Sequence, residues 1–248
     1  MIPIPVKTIP DRRGKPVQFI PEPGVESFLR HILGGHEYPI VFPDVFHPQT
    51  IVDIGAHVGS AALWFRYAYP QARIYCFEPN PVSFELLQRN VAGEPGIEIL
   101  QIALGASDAR MPLFSGAYST LQASLIANEE NQRAGTIVEV RSVKTALDEM
   151  NIACISVLKV DTEGMELPIL RGLGANLWKI EVIYLEYHSE RDRRELDQLL
   201  GDRFILFASQ AVQPDRGTVC YVAADRLARW QAQSTAPRFV FPKQPMSP

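Results

Sequence analysis

From residue 50 onward, short runs of mostly apolar residues alternate with stretches whose apolar positions recur every three or four. The runs at 51–54, 73–77, 97–102, 155–160, 182–187, 204–208 and 218–222 have the length and character of strands. Between them, 60–69, 81–92, 143–151, 166–173 and 191–200 read as helices. Phe84, Leu87 and Val91 show the spacing, with Glu85, Gln88 and Arg89 falling between them. The alternation predicts an α/β fold: a Rossmann-like, seven-stranded, mostly parallel sheet with helices on both faces. Residues 50–230 make this domain. Within it, 105–142 holds two strand-like pieces, 111–114 and 136–140, around a polar middle. It reads as a hairpin-like insertion that borders the ligand crevice and suits a substrate lid. Residues 1–49 form a proline-rich N-terminal arm or cap with one helix-like piece at 25–34, and 231–248 a proline-rich tail.

Composition adds exclusions. The chain has 248 residues, 46% apolar and 21% charged, with a formal charge of −4. That balance argues against a nucleic-acid partner, because affinity for phosphates needs a basic face. No apolar run is long enough to span a bilayer, and "MIPIPVKTIPDRRGK" lacks the apolar stretch of a signal peptide. Cys76, Cys154 and Cys220 lie in strand-like runs and read as buried, reduced thiols. A cytoplasmic protein without a membrane partner is expected; oligomeric state is not legible.

The chemistry begins at "IVDIGAHVGSAALWF", 51–65. A dinucleotide fingerprint would put glycines at 55, 57 and 60, but the chain has Gly55, His57 and Ser60. The missing middle glycine is the one that lets the backbone approach a pyrophosphate. A nucleoside carrying a sulfonium amino acid, S-adenosylmethionine, does not need it. Asp53, Gly55, Ala56, His57 and Gly59 then form the cofactor turn. Glu78, followed by Pro79 at the end of the second strand, is placed to accept hydrogen bonds from ribose hydroxyls. Ile102, Ala103 and Asp108 are candidates for the adenine side.

"VDIGAHVGSAAL", "CFEPNPVSFELLQRNV", "IALGASD", "VKTALDEM" and "VLKVDTEGMELPILRGL" resemble the FkbM-type methyltransferases over about residues 50–190. The most specific part is the run Lys159, Asp161, Glu163, Gly164, Glu166. The resemblance implies a Rossmann-like, S-adenosylmethionine-dependent enzyme that O-methylates a hydroxyl of a saccharide, glycoside or natural product. The family more usually has Asn where this chain has His57.

The carboxyl ends of the strands at 155–160 and 182–187 bring Asp161, Glu163, Glu186 and His188 toward the crevice. Removing the acceptor's hydroxyl proton needs a base. His188 has the best ordinary pKa for it, and Glu163 is the competitor. A divalent cation on Asp161, Glu186 and His188 is a further arrangement. Glu166 reads as a carboxylate in a helix's first turn. Two other classes stay open: an inactive cofactor-binding domain and a nicotinamide-dependent oxidoreductase.

Overall fold

The computed structural model describes residues 7–10, 16–21, 26–115, 123–127, 133–236 and 239–240. The N-terminal part carries β1 (Lys7–Pro10), β2 (Pro16–Phe19), α1 (Glu26–Leu33) and β3 (Ile40–Val41). Then come β4 (Thr50–Ile54), α2 (Ser60–Ala68), β5 (Arg73–Phe77), α3 (Pro81–Asn90) and β6 (Ile97–Leu100). The insertion holds β7 (Ala103–Gly105), β8 (Ala109–Ser115) and β9 (Arg133–Ser142). It leads into α4 (Val143–Glu149), β10 (Ile155–Val160), α5 (Glu166–Gly172), β11 (Ile180–Tyr187) and α6 (Glu190–Leu200). The chain closes with β12 (Phe204–Gln213), β13 (Arg216–Ala223), α7 (Ala224–Gln233) and β14 (Phe239–Val240).

The main sheet has seven strands in the order β12-β13-β11-β10-β4-β5-β6. Its pairs are parallel from β11 to β6, and only β13 runs against its neighbours. The central strands are buried on both faces, which is why they read as apolar runs without alternation. Ile51, Val157 and Val182 face α2 and its neighbours with Trp64, Leu87 and Trp230. Val52, Leu158 and Ile183 face the opposite layer with Leu147, Leu170 and Leu196.

Three differences from the sequence expectation bear on the site. The strand expected at 97–102 ends at Leu100, and β7 leaves the main sheet to pair with β9. The insertion is therefore a three-stranded sheet, β7-β9-β8, rather than a plain hairpin. Its polar middle, 116–122 and 128–132, lies outside the described residues, as does most of the tail. β12 runs on to Gln213 and α7 follows β13, where the pattern had no helix.

The N-terminal part packs on the α2 face of the sheet, where Phe19, Leu33, Tyr38 and Phe42 join the same core. Asn90 on α3 takes the Ile20 amide at 2.7 Å and donates to the carbonyls of Ile20 and Val58 at 3.0 and 2.8 Å. Tyr184 on β11 donates to the Pro39 carbonyl at 2.5 Å, and the Trp64 indole to that of Tyr38 at 3.1 Å.

Candidate active site

β4 ends in a tight turn into α2. Gly55, His57 and Gly59 take φ values of 80°, 49° and 90°, the left-handed region that glycine enters freely and His or Asn more readily than most residues. The Gly55 and Ala56 amides donate to the Phe77 carbonyl at 2.9 and 3.1 Å, which fastens the turn to the end of β5. Glu78 is the brace on the other side. Its Oε2 accepts the His57 amide and its Oε1 the Asn80 amide, both at 2.8 Å. Burial raises the Glu78 pKa, and His57 with the two amides works against that rise. Glu78 still lines the cleft, with Gly55, Ala56, His57, Pro79, Ile102 and Ala103.

Three expected cofactor residues do not line that cleft. Gly59 turns toward α3, where a Cβ would meet Leu87 at 2.8 Å. Asp53 is fully buried beneath the turn, and its register partner Lys159 faces it across β4 and β10. The Lys159 ammonium lies 3.0 Å from Asp53 and 3.6 Å from Asp161, and donates to the Gly55 carbonyl at 2.6 Å. Burial opposes the Lys159 charge, but Asp53 and Asp161 outweigh it and hold the pKa above its ordinary value. Asp53 therefore supports the turn through a cation rather than touching a ligand. Asp108 is turned outward, accepting the Ser142 amide at 2.6 Å at a corner of the insertion. Its side chain is 63% exposed, so it fixes the entry to α4 and forms no adenine wall.

The loop between β10 and α5 carries the acids. Glu166 accepts the Thr162 amide at 2.8 Å, the Thr162 hydroxyl at 3.0 Å and the Gly164 amide at 3.0 Å. That makes it the clamp of the loop. Glu163 and Gly164 adopt φ values of 56° and 115°, and Asp161, Glu163 and Glu186 all line the cleft. Asp161 and Glu186 act on each other's charge. Burial and then the Asp161 charge push Glu186 well above the carboxylate range, while Lys159 overcomes burial to hold Asp161 low.

His188 stands behind these acids and is not on the cleft wall. Its Nε2 is 3.1 Å from Glu163 Oε2 and 3.8 Å from Glu186 Oε1, and its Nδ1 is 3.8 Å from Glu166 Oε1. Burial would lower its pKa, but Glu163, Glu166 and Asp161 prevail and raise it to about 9. At neutral pH the imidazole is already protonated. A protonated imidazole has no free lone pair for a hydroxyl proton, so this shift favours the competing candidate, Glu163, over His188 as the base.

This charge has a measurable sign. The His188 pKa rises from 6.5 to about 9 on folding, so its stabilisation is complete below the lower value and is lost as pH climbs through the higher one. Thermal unfolding followed between those limits should decline more steeply in the wild type than in His188→Gln, by about 2–3 kcal/mol. Parallel curves would mean that the imidazole is not charged in the fold.

Glu37 has no signal in the sequence and was not among the expected site residues. It is 8% exposed, and its Oε2 has no partner among the described residues. Burial, then the Asp161 charge, raises its pKa to about 7. The outer walls of the cleft come from Phe28 and Ile32 on α1, Leu125 in the insertion, and Gln213 and Arg216 where β12 meets β13. The ligand atoms of Asp161, Glu163, Glu186 and His188 lie within 4.8 Å of one another. A divalent cation there would compete with the protons that the raised pKa values of Glu186 and His188 favour. Among the described residues, no helix is long and apolar enough to cross a membrane.

Comparison with known proteins matches residues 53–210 to the Methyltransferase FkbM domain family. Methyltransferase sdnD of Sordaria araneosa is 28% identical over 62% of this chain and 72% of its own length. The hexuronic acid methyltransferase AglP of Haloferax volcanii is 26% identical, covering 62% of each chain. The 2-O-methyltransferase NoeI of Sinorhizobium fredii is 26% identical over 57% of this chain and 64% of its own. The match thus spans less than two thirds of the last two proteins.

Proposed function

Because this chain belongs to the FkbM methyltransferase family and is an S-adenosylmethionine-dependent methyltransferase, we propose that it methylates a hydroxyl of a saccharide, glycoside or natural-product small molecule. S-adenosylmethionine supplies the activated methyl group. The observation that carries the reading is one continuous cleft on which the glycine turn and Glu78 meet the carboxylates Asp161 and Glu163.

Each residue has a task on this reading. Gly55, Ala56 and His57 accommodate the amino-acid end of the cofactor, Gly59 lets the turn pack on α3, and Glu78 accepts hydrogen bonds from the ribose. Pro79, Ile102 and Ala103 supply the adenine side. Glu163 takes the proton of the acceptor hydroxyl, and the imidazolium of His188 at 3.1 Å balances its charge before that transfer. With Glu186 raised above and Asp161 held below the ordinary carboxylate range, Asp161 accepts and Glu186 donates toward the acceptor on this reading. With His188 and Lys159 already cationic, the acids have their counter-charges, and we propose chemistry without a divalent cation. The similarity to AglP, a hexuronic acid methyltransferase, and NoeI, a 2-O-methyltransferase, supports a sugar-like acceptor.

The test is transfer of labelled methyl groups from S-adenosylmethionine to a panel of sugars, glycosides and hydroxylated natural products. Label should appear as a methyl ether. Glu163→Gln should slow transfer by roughly 10²–10⁴-fold while S-adenosylhomocysteine still binds. Label on nitrogen or carbon, or undiminished transfer by Glu163→Gln, would refute the assignment.

A further inference from the structure

We infer that Ser124, in the insertion, is a positioning residue that holds Glu163 in its working conformation, so that the cleft's outer wall and the proton acceptor are set as one unit. The inference rests on the reading of Glu163 just given. Ser124 is 1% exposed, and its hydroxyl donates to the Glu163 carbonyl at 2.7 Å while accepting the Ile126 amide at 3.0 Å. Its own backbone makes a single bridge to Phe114 on β8, bonded both ways at 2.8 and 2.9 Å, so the hydroxyl is delivered from a residue tied to that strand.

Glu163 needs such a support. At φ 56° it occupies the left-handed region, where a residue with a side chain is disfavoured by about 1–2 kcal/mol. Glu166 fixes the amides of Thr162 and Gly164 on either side. The Glu163 carbonyl is instead held by Ser124. Rotating that peptide back toward the right-handed region would break the Ser124 bond and swing the Glu163 carboxylate away from His188. Ser124 and Leu125 also line the cleft, so an acceptor filling this wall presses on the residue that holds the base.

The experiment reads Glu163 through its neighbour. The His188 ring proton is titrated by NMR in the wild type, Ser124→Ala, Ser124→Thr and Glu163→Gln, and each protein is also titrated with S-adenosylhomocysteine. Glu163→Gln should lower the His188 midpoint. Ser124→Ala should lower it in the same direction by about half a unit or more, and Ser124→Thr, which keeps the hydroxyl, should stay nearer the wild type. Binding of S-adenosylhomocysteine should change by less than about twofold in Ser124→Ala, since its hydroxyl does not touch the glycine turn. An unmoved midpoint in Ser124→Ala, or one that moves equally in Ser124→Thr, overturns the inference. Because the midpoint needs no acceptor, failure of methyl transfer in the wild type would count against the proposed function alone.

Discussion

Replacing Lys159 by Met should lower the thermal midpoint by roughly 6–20 °C, the equivalent of about 3–5 kcal/mol in a domain of this size. The reason is Asp53, which is wholly excluded from solvent and has the Lys159 ammonium at 3.0 Å. Removing the cation strands a carboxylate where water cannot reach it, and burial already pushes its pKa upward. The same substitution frees the Gly55 carbonyl, so affinity for S-adenosylhomocysteine should fall in parallel. Adding Asp53→Asn to Lys159→Met should recover more than half of the lost stability, because the uncompensated charge goes with it. Calorimetric melting of the three proteins checks both statements. A single variant no less stable than the double would show that Asp53 is not the stranded group.

The second large effect is expected at Gly55. A Cβ placed there would lie 1.8 Å from the Asp161 carbonyl oxygen, at a φ of 80°. Gly55→Ala must therefore push β4 and β10 apart where they carry the site, in addition to the strain of the left-handed backbone. A loss of about 3–5 kcal/mol follows from the two together, with S-adenosylhomocysteine affinity reduced by more than about tenfold. Gly93 provides the control. Its φ is 88°, but a Cβ there meets nothing within 4 Å. Gly93→Ala should lose only the backbone share, about 1 kcal/mol, and bind as the wild type does. Equal destabilisation in the two variants would mean that the close approach of Asp161 does not constrain the turn.

The sheet could be read from the sequence because its central strands are buried on both faces and so appear as uninterrupted apolar runs, as in "ISVLKV". The assembly of Asp161, Glu163, Glu186 and His188 was legible for a related reason: they lie at or just past the carboxyl ends of adjacent parallel strands. What was not legible depends on contacts between distant segments. Asp53 and Asp161 look alike in sequence, yet one meets Lys159 across the sheet in a sealed interior while the other opens on the cleft. Asp108 is bound to the Ser142 amide, 34 residues away. His188 has an ordinary side chain, and only the surrounding carboxylates raise its pKa. The strand expected at 204–208 continues to Gln213 because a hairpin partner holds it there, although its outer half is exposed and polar. That continuation is what brings Gln213 to the cleft.

The central claim is that the turn after β4 and Glu78 hold S-adenosylmethionine. Calorimetric titration with S-adenosylhomocysteine, with NADH as the control ligand and Glu78→Ala as the comparison, tests it most directly. The account predicts saturable binding of S-adenosylhomocysteine, none of NADH, and loss of binding in a Glu78→Ala protein that still melts cooperatively. Binding of NADH in preference to S-adenosylhomocysteine, or affinity unchanged in Glu78→Ala, would contradict it.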